Sequence, residues 1–282
     1  MTAPTIEAGN ARTVQPEIGR KPRLKHRRKS RRDILVTIGS IIVLLAIWEV
    51  AARQVNPIMA APPTKVGATL FSMIQDGTML VAIAETGRPF LLGYLLAVVV
   101  GIPLGLVIGR FRFMEAAIGW FVVAGYAIPM IALIPIFMLW FGLGFEVKVM
   151  MVLVMTVFAI IINTWDGVHN VPRSLIEVAT AFNASSGRTL WQIILPSVIP
   201  SIMTGLRIGV GKAVIGIIIA EFFTALGGLG GIIVTAGATF QPDRMFATVI
   251  VLSAAAVGMT WLVGWVQRRI APWNEEITGS GS

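Results

Sequence analysis

Cysteine is absent from the 282 residues. Disulfides, thiolate nucleophiles and cysteine-held metals are therefore excluded, and the redox compartment is unreadable. Charge is scarce. Asp, Glu, Lys and Arg together make 13% of the chain, against about 25% in a soluble domain. Histidine occurs twice, as His26 and His169, too far apart in sequence to suggest a ligand cluster for zinc or iron. No cofactor is expected. What fills the chain is apolar: 56% hydrophobic residues and a mean hydropathy of +0.81. Such a balance belongs to a polytopic, all-α membrane protein.

The formal net charge of +9 is concentrated rather than spread. Nine lysines and arginines crowd into residues 20–32, RKPRLKHRRKSRR. No aromatic residue interleaves them, which argues against nucleic acid. A cytoplasmic tail that orients the chain and touches anionic membrane lipid accounts for the run. Residues 1–33 read as a disordered basic tail, the first nineteen lacking any apolar pattern. Ser30-Arg31-Arg32 ahead of an apolar stretch is similar to a twin-arginine export signal. However, residues 34–50 are long for a signal core and more spans follow, so this is read as a retained first span. Thr278–Ser282 has the look of an expression scar and is excluded.

Six spans are predicted, over 34–50, 90–109, 115–141, 147–163, 198–222 and 245–265. Between the first two lies an external amphipathic segment, with the helical piece over 64–83. In span two Gly93, Ala97, Gly101, Gly105 and Gly109 recur every four residues, a small-residue groove for close helix packing. Span three is broken by Pro129 and Pro135, and freed carbonyls at such breaks often border a pathway. Span five carries Arg207, Lys212 and Glu221. Arg207 is within snorkelling reach of the inner interface, and Glu221 falls near the outer end. Lys212 sits roughly 20 Å into a span of about 30 Å. It is either the partner of an ion pair with a neighbouring helix or an attractive site for an anionic solute. The glycine-rich 225–237 lacks the lysine and preceding strand of a phosphate loop.

The organising stretch is 171–200, VPRSLIEVATAFNASSGRTLWQIILPSVIP. Val171-Pro172 followed by Ser174 predicts a helix start. Val178, Ala179, Ala181 and Phe182 give it an apolar stripe. Asn183 can adopt the left-handed conformation that ends such a helix, and Ser185-Ser186 can cap a second one over 187–194. Leu195-Pro196 is expected to stop that second helix.

These residues resemble the cytoplasmic loop of ABC-importer permeases. Glu177, Ala179, Ile193, Leu195 and Pro196 fall on the family pattern of Glu-Ala-Ala, three residues, Gly, nine residues, Ile, one residue, Leu-Pro. Val178 replaces an alanine and Asn183 the glycine. The run over 128–144, IPMIALIPIFMLWFGLG, and the Pro62-Pro63 helix start are similar to the nitrate, sulfonate and taurine branch. The resemblance implies a type I ABC-importer permease fold of six transmembrane helices with a coupling-helix loop. It divides the chain into a tail (1–33), a first span (34–56), an external segment (57–85), a core permease domain (86–270, coupling loop 171–196) and a C-terminal tail (271–282). It also implies a bacterial inner-membrane location with both termini cytoplasmic. The implied partners are ABC ATPase subunits gripping Glu177, Val178, Ala179, Phe182, Asn183, Ile193, Leu195 and Pro196, a second permease copy and an external solute-binding protein. The chain itself would not hydrolyse ATP. A translocation path bordered by Pro129, Pro135, Lys212 and Glu221 is expected to pass a small anionic solute such as a sulfonate, nitrate or taurine. The rivals are an ion-coupled secondary transporter, which calls for broken helices in matched halves, and a channel or scaffold, for which the loop is superfluous.

Overall fold

The computed structural model describes residues 31–224 and 227–270. The predicted features over residues 1–30 and 271–282 lie outside them. The chain runs through α1 (Arg31–Gln54), α2 (Pro63–Gln75), α3 (Thr78–Arg110) and α4 (Arg112–Ala127). A 3-10 turn (Met130–Leu133) then leads to α5 (Ile134–Phe141), α6 (Phe145–His169), α7 (Arg173–Ala181) and α8 (Ser186–Thr189). A π turn (Leu190–Ile194) enters α9 (Leu195–Thr224), followed by α10 (Gly228–Ala238) and α11 (Pro242–Ile270). Among the described residues there is no strand. Five helices are long and apolar enough to cross a membrane, and α4 with the α5 segment makes a sixth if that bent pair is one span.

The centre of the bundle is α6, flanked by α3 and α9. The predicted small-residue groove is what lets α3 approach. A Cβ on Gly93 would stand 2.7 Å from the Val152 Cβ, on Gly101 2.9 Å from the Ile160 Cγ2 and on Gly105 2.6 Å from the Thr164 Cβ. Ala97, between them, is fully buried. On the other side of α6, Gly167 meets Ser201 and Gly205 meets Asn163 in the same way. Without a hydrophobic drive between helices in lipid, dispersion across such close faces holds the bundle together.

Three expectations change. The amphipathic helix stops at Gln75, because Gly77 at φ 80° turns the chain. The Asp76 carboxylate accepts the Thr78 N–H at 2.9 Å, which holds its pKa below the usual carboxylate value. The span helix therefore starts at Thr78, not 90, and runs through Pro89 and Pro103.

Span three is broken at Pro129 as expected, and the second change lies at Pro135. Ile128, in front of Pro129, is extended at φ −63° and ψ 133°, as the proline ring requires of its predecessor. The helix ends there, and the segment of Met130–Phe141 leaves at 92° to α4. Pro135 sits harmlessly in the first turn of α5.

The third change concerns Leu195-Pro196, which do not stop a helix. The chain passes from α8 through the π turn into α9 without a break. A π turn shifts the hydrogen-bond register just where the proline supplies no N–H, so the helical path survives.

Candidate functional site

The expected docking loop is an elbow between the adjoining ends of α6 and α9. Its base is fixed by apolar packing: Val171 and Ile194 are buried with Val168, Val198 and Ile202, and Leu195 packs on them. The Phe182 N–H closes α7 on the Val178 carbonyl at 3.0 Å. Asn183 then turns at φ 51°, the left-handed region that asparagine tolerates better than most non-glycine residues. The Ser185 Oγ accepts the Arg188 N–H at 3.3 Å and caps α8.

Of the predicted residues, Ala179 is buried, and Ile193, Leu195 and Pro196 are half-buried. Glu177, Val178, Phe182 and Asn183 are exposed. Phe182, at 83%, is the most exposed large apolar side chain among the described residues, and Val178 one turn earlier is 53% exposed. The elbow thus presents an apolar knob with an acidic residue beside Val178, on a loop where Leu175, Ile176 and Trp191 are exposed as well. Such an arrangement is built to be covered.

The candidate path residues do not form one group. Lys212 and Pro129 share a cavity of about 210 Å³, whose lining includes Tyr126, Met155, Phe158 and Ile219. The Lys212 ammonium lies 5.0 Å from the Tyr126 ring centroid, a cation–π contact. Among the described residues no carboxylate pairs with it. Pro135 is exposed on α5 and lines no part of this cavity. Arg207 reaches sideways instead of out, donating to the Gln267 Oε1 at 2.7 Å across to α11.

Glu221 is elsewhere, at the end of the bundle opposite α7, and wholly enclosed. Its carboxylate accepts the Thr86 hydroxyl at 2.9 Å, the Lys148 ammonium at 3.3 Å and the Gly230 N–H at 2.8 Å. Beside it, the Glu85 carboxylate accepts the Gly228 N–H at 2.6 Å, and the Thr86 Oγ1 accepts that of Leu229 at 2.8 Å. The first N–H groups of α10 have no partner within their own helix. Side chains of α3 and α9 supply one for each, and carboxylates suit the positive end of the helix dipole. Gly228 is in the left-handed region at φ 74°, and a Cβ there would run into the Glu221 carboxylate. The glycine-rich stretch is thus a helix start clamped by one buried acid, Glu221, and one exposed acid, Glu85.

Lys148, at the start of the predicted fourth span, is buried in the first turn of α6. Glu85 and Thr86 escaped notice altogether. One signal was available: an acid near the outer end of one apolar helix and a base near the start of another, both at the same depth.

Comparison with known proteins places these features. The sequence profile of the family described as binding-protein-dependent transport system inner membrane component matches residues 101–272. The chain is 29% identical over 262 residues to the taurine transport system permease protein TauC of Escherichia coli strain K12, covering 90% of this chain and 95% of that one. It is 30% identical over 236 residues to the formylaminopyrimidine transport permease protein ThiX of Halalkalibacterium halodurans, covering 83% and 94%. In fold it is similar to a chain from the inward-facing MetNI methionine ABC transporter. That likeness has a TM-score of 0.59 at 16% identity, over 70% of this chain and 97% of that one.

Proposed function

This chain belongs to the binding-protein-dependent transport system inner membrane components, and from that premise we propose that α7, with Phe182 at its end, is the surface on which the motor subunit acts. The chain is a multi-pass inner-membrane permease of an ATP-driven importer, ATP hydrolysis belongs to a separate subunit, and a binding protein is a partner. The docking role falls to Glu177, Val178, Phe182 and Asn183, which face outward. Ala179, Ile193, Leu195 and Pro196 fix the elbow to the bundle. The observation that carries this is the 83% exposure of Phe182 on a loop whose base is packed. Closure of the ATPase pair moves the elbow as a rigid body, and the bundle passes between two packings that open to opposite sides.

Orientation follows from charge. Arg110, Arg112, Arg173, Arg188, Arg268 and Arg269 all lie at or beyond the helix ends on the α7 side, and cationic loops stay cytoplasmic. Both termini are accordingly inside, with α2 and α10 outside. The division at 34–56, 57–85 and 86–270 is carried over as part of this proposal, with the external segment giving way to the span helix at Thr78. Trp120, Leu139 and Trp140, all more than 60% exposed, supply an apolar face for a second, identical copy. The solute is a small organic anion of the sulfonate class; the taurine in TauC's name is a sulfonate that also carries an ammonium group. Reversal of charge by Glu177→Lys tests the docking role. The protein should reach the membrane normally while ATP-driven uptake fails; unaltered uptake would defeat the assignment.

A further inference from the structure

We infer that the cavity around Lys212 is a binding subsite for a small organic anion with an apolar body and no ammonium group. The inference rests on the permease reading above. It begins with a cost. A lysine at this depth of an apolar helix is strongly disfavoured if it faces lipid. Glu221, the buried acid on the same helix, is committed to Thr86, Lys148 and Gly230. Among the described residues Lys212 has instead only the face of Tyr126, at 5.0 Å. A cation–π contact offsets part of the cost and leaves the ammonium's hydrogen-bonding capacity open toward the cavity.

The cavity selects by charge, shape and size. Lys212 is the one charged side chain in its lining; Ile128, Met130, Ile131, Met155, Phe158 and Ile219 are apolar. A single anionic head against Lys212 with a hydrocarbon body on these residues is complementary. A zwitterion is not, because the lining holds no carboxylate to receive its ammonium. At about 210 Å³ the space is below the ~300–1,000 Å³ typical of drug-sized ligands. It suits a solute of a few carbons. The helix break at Pro129 forms one wall, so the 92° bend between α4 and the α5 segment is part of the site. Ile208 and Ile215, a turn to either side of Lys212, are 42% and 51% exposed, so the face around the lysine is open in the single chain.

The test uses the full-length chain in phosphatidylcholine nanodiscs, titrated calorimetrically with 1-propanesulfonate, taurine and propylammonium. Propanesulfonate should bind at least tenfold more tightly than taurine, and propylammonium should not bind. Lys212→Met should weaken propanesulfonate at least tenfold, while Lys212→Arg stays within about threefold. Ile219→Phe fills the cavity without touching the charge and should also abolish binding, which keeps the question decidable if Lys212→Met fails to fold. Equal affinity for taurine, undiminished binding in Lys212→Met or Ile219→Phe, or no binding by the native chain would overturn the inference. Glu177→Lys separates it from the docking role: propanesulfonate binding should persist there while ATP-driven uptake is lost.

Discussion

Removing Glu221 tests whether the bundle's outer end is fastened as described. In Glu221→Leu the Lys148 ammonium, 7% exposed, stays buried without this carboxylate. Breaking a buried pair from one side costs about 3–5 kcal/mol. The Gly230 N–H also loses its acceptor, and an orphaned buried donor adds about 1–3 kcal/mol. The expected loss of folding free energy is therefore on the order of 5 kcal/mol. Lys148→Met leaves Glu221 with Thr86 and Gly230, and should fall near the lower end, about 3 kcal/mol. The double variant removes both charges, so its cost should be at least about 2 kcal/mol smaller than the sum of the singles. Reversible SDS titration of the purified protein, followed by tryptophan fluorescence, reads all three. Single losses below about 1 kcal/mol, or strictly additive ones, would refute the reasoning, because groups joined in one buried network are coupled.

Gly105→Ala puts a methyl 2.6 Å from the Thr164 Cβ and should destabilise by about 1–3 kcal/mol. Gly87→Ala on the same helix meets open space and should be neutral or gain up to about 1 kcal/mol; the same titration compares them. Asn183→Val forces a β-branched residue to φ 51° at a cost of about 1–2 kcal/mol, whereas Asn183→Gly should be tolerated. Limited proteolysis at the elbow distinguishes the two. Phe182→Ala should leave stability unchanged but weaken ATPase association roughly thirtyfold, about 2 kcal/mol at an interface hot spot, read by co-purification.

What could be read from residues alone was local or periodic. The stripe Gly93 to Gly109 announces itself every four residues, and its partner face on α6 follows from packing. Asn183 and Ser185 carry their own backbone preferences, so the elbow's turn and cap were legible. Pro196 was misread because a proline's missing N–H argues for a stop unless the register slips, and the π turn that slips it has no sequence signature. Gly77 was passed over because apolar periodicity continues across it. The acid clamp on α10 was invisible for another reason. Glu85 and Gly228 are 143 residues apart, and Glu221 and Lys148 73 apart. Only the assembled bundle brings them together. Lys212 was recognised as anomalous, but its contact with Tyr126 on α4 appears only in the assembled bundle.

The central claim is that a packed elbow on the cytoplasmic face is gripped by a separate ATPase. Because the chain contains no cysteine, Phe182→Cys provides a single thiol at the elbow's most exposed point. In membranes with the ATPase subunit present, that thiol should react with an impermeant maleimide only in inverted vesicles. It should also cross-link to the ATPase subunit, with a yield that changes on ATP binding. Labelling from the external side, or a reactive thiol that never cross-links to the ATPase in either nucleotide state, would contradict the account.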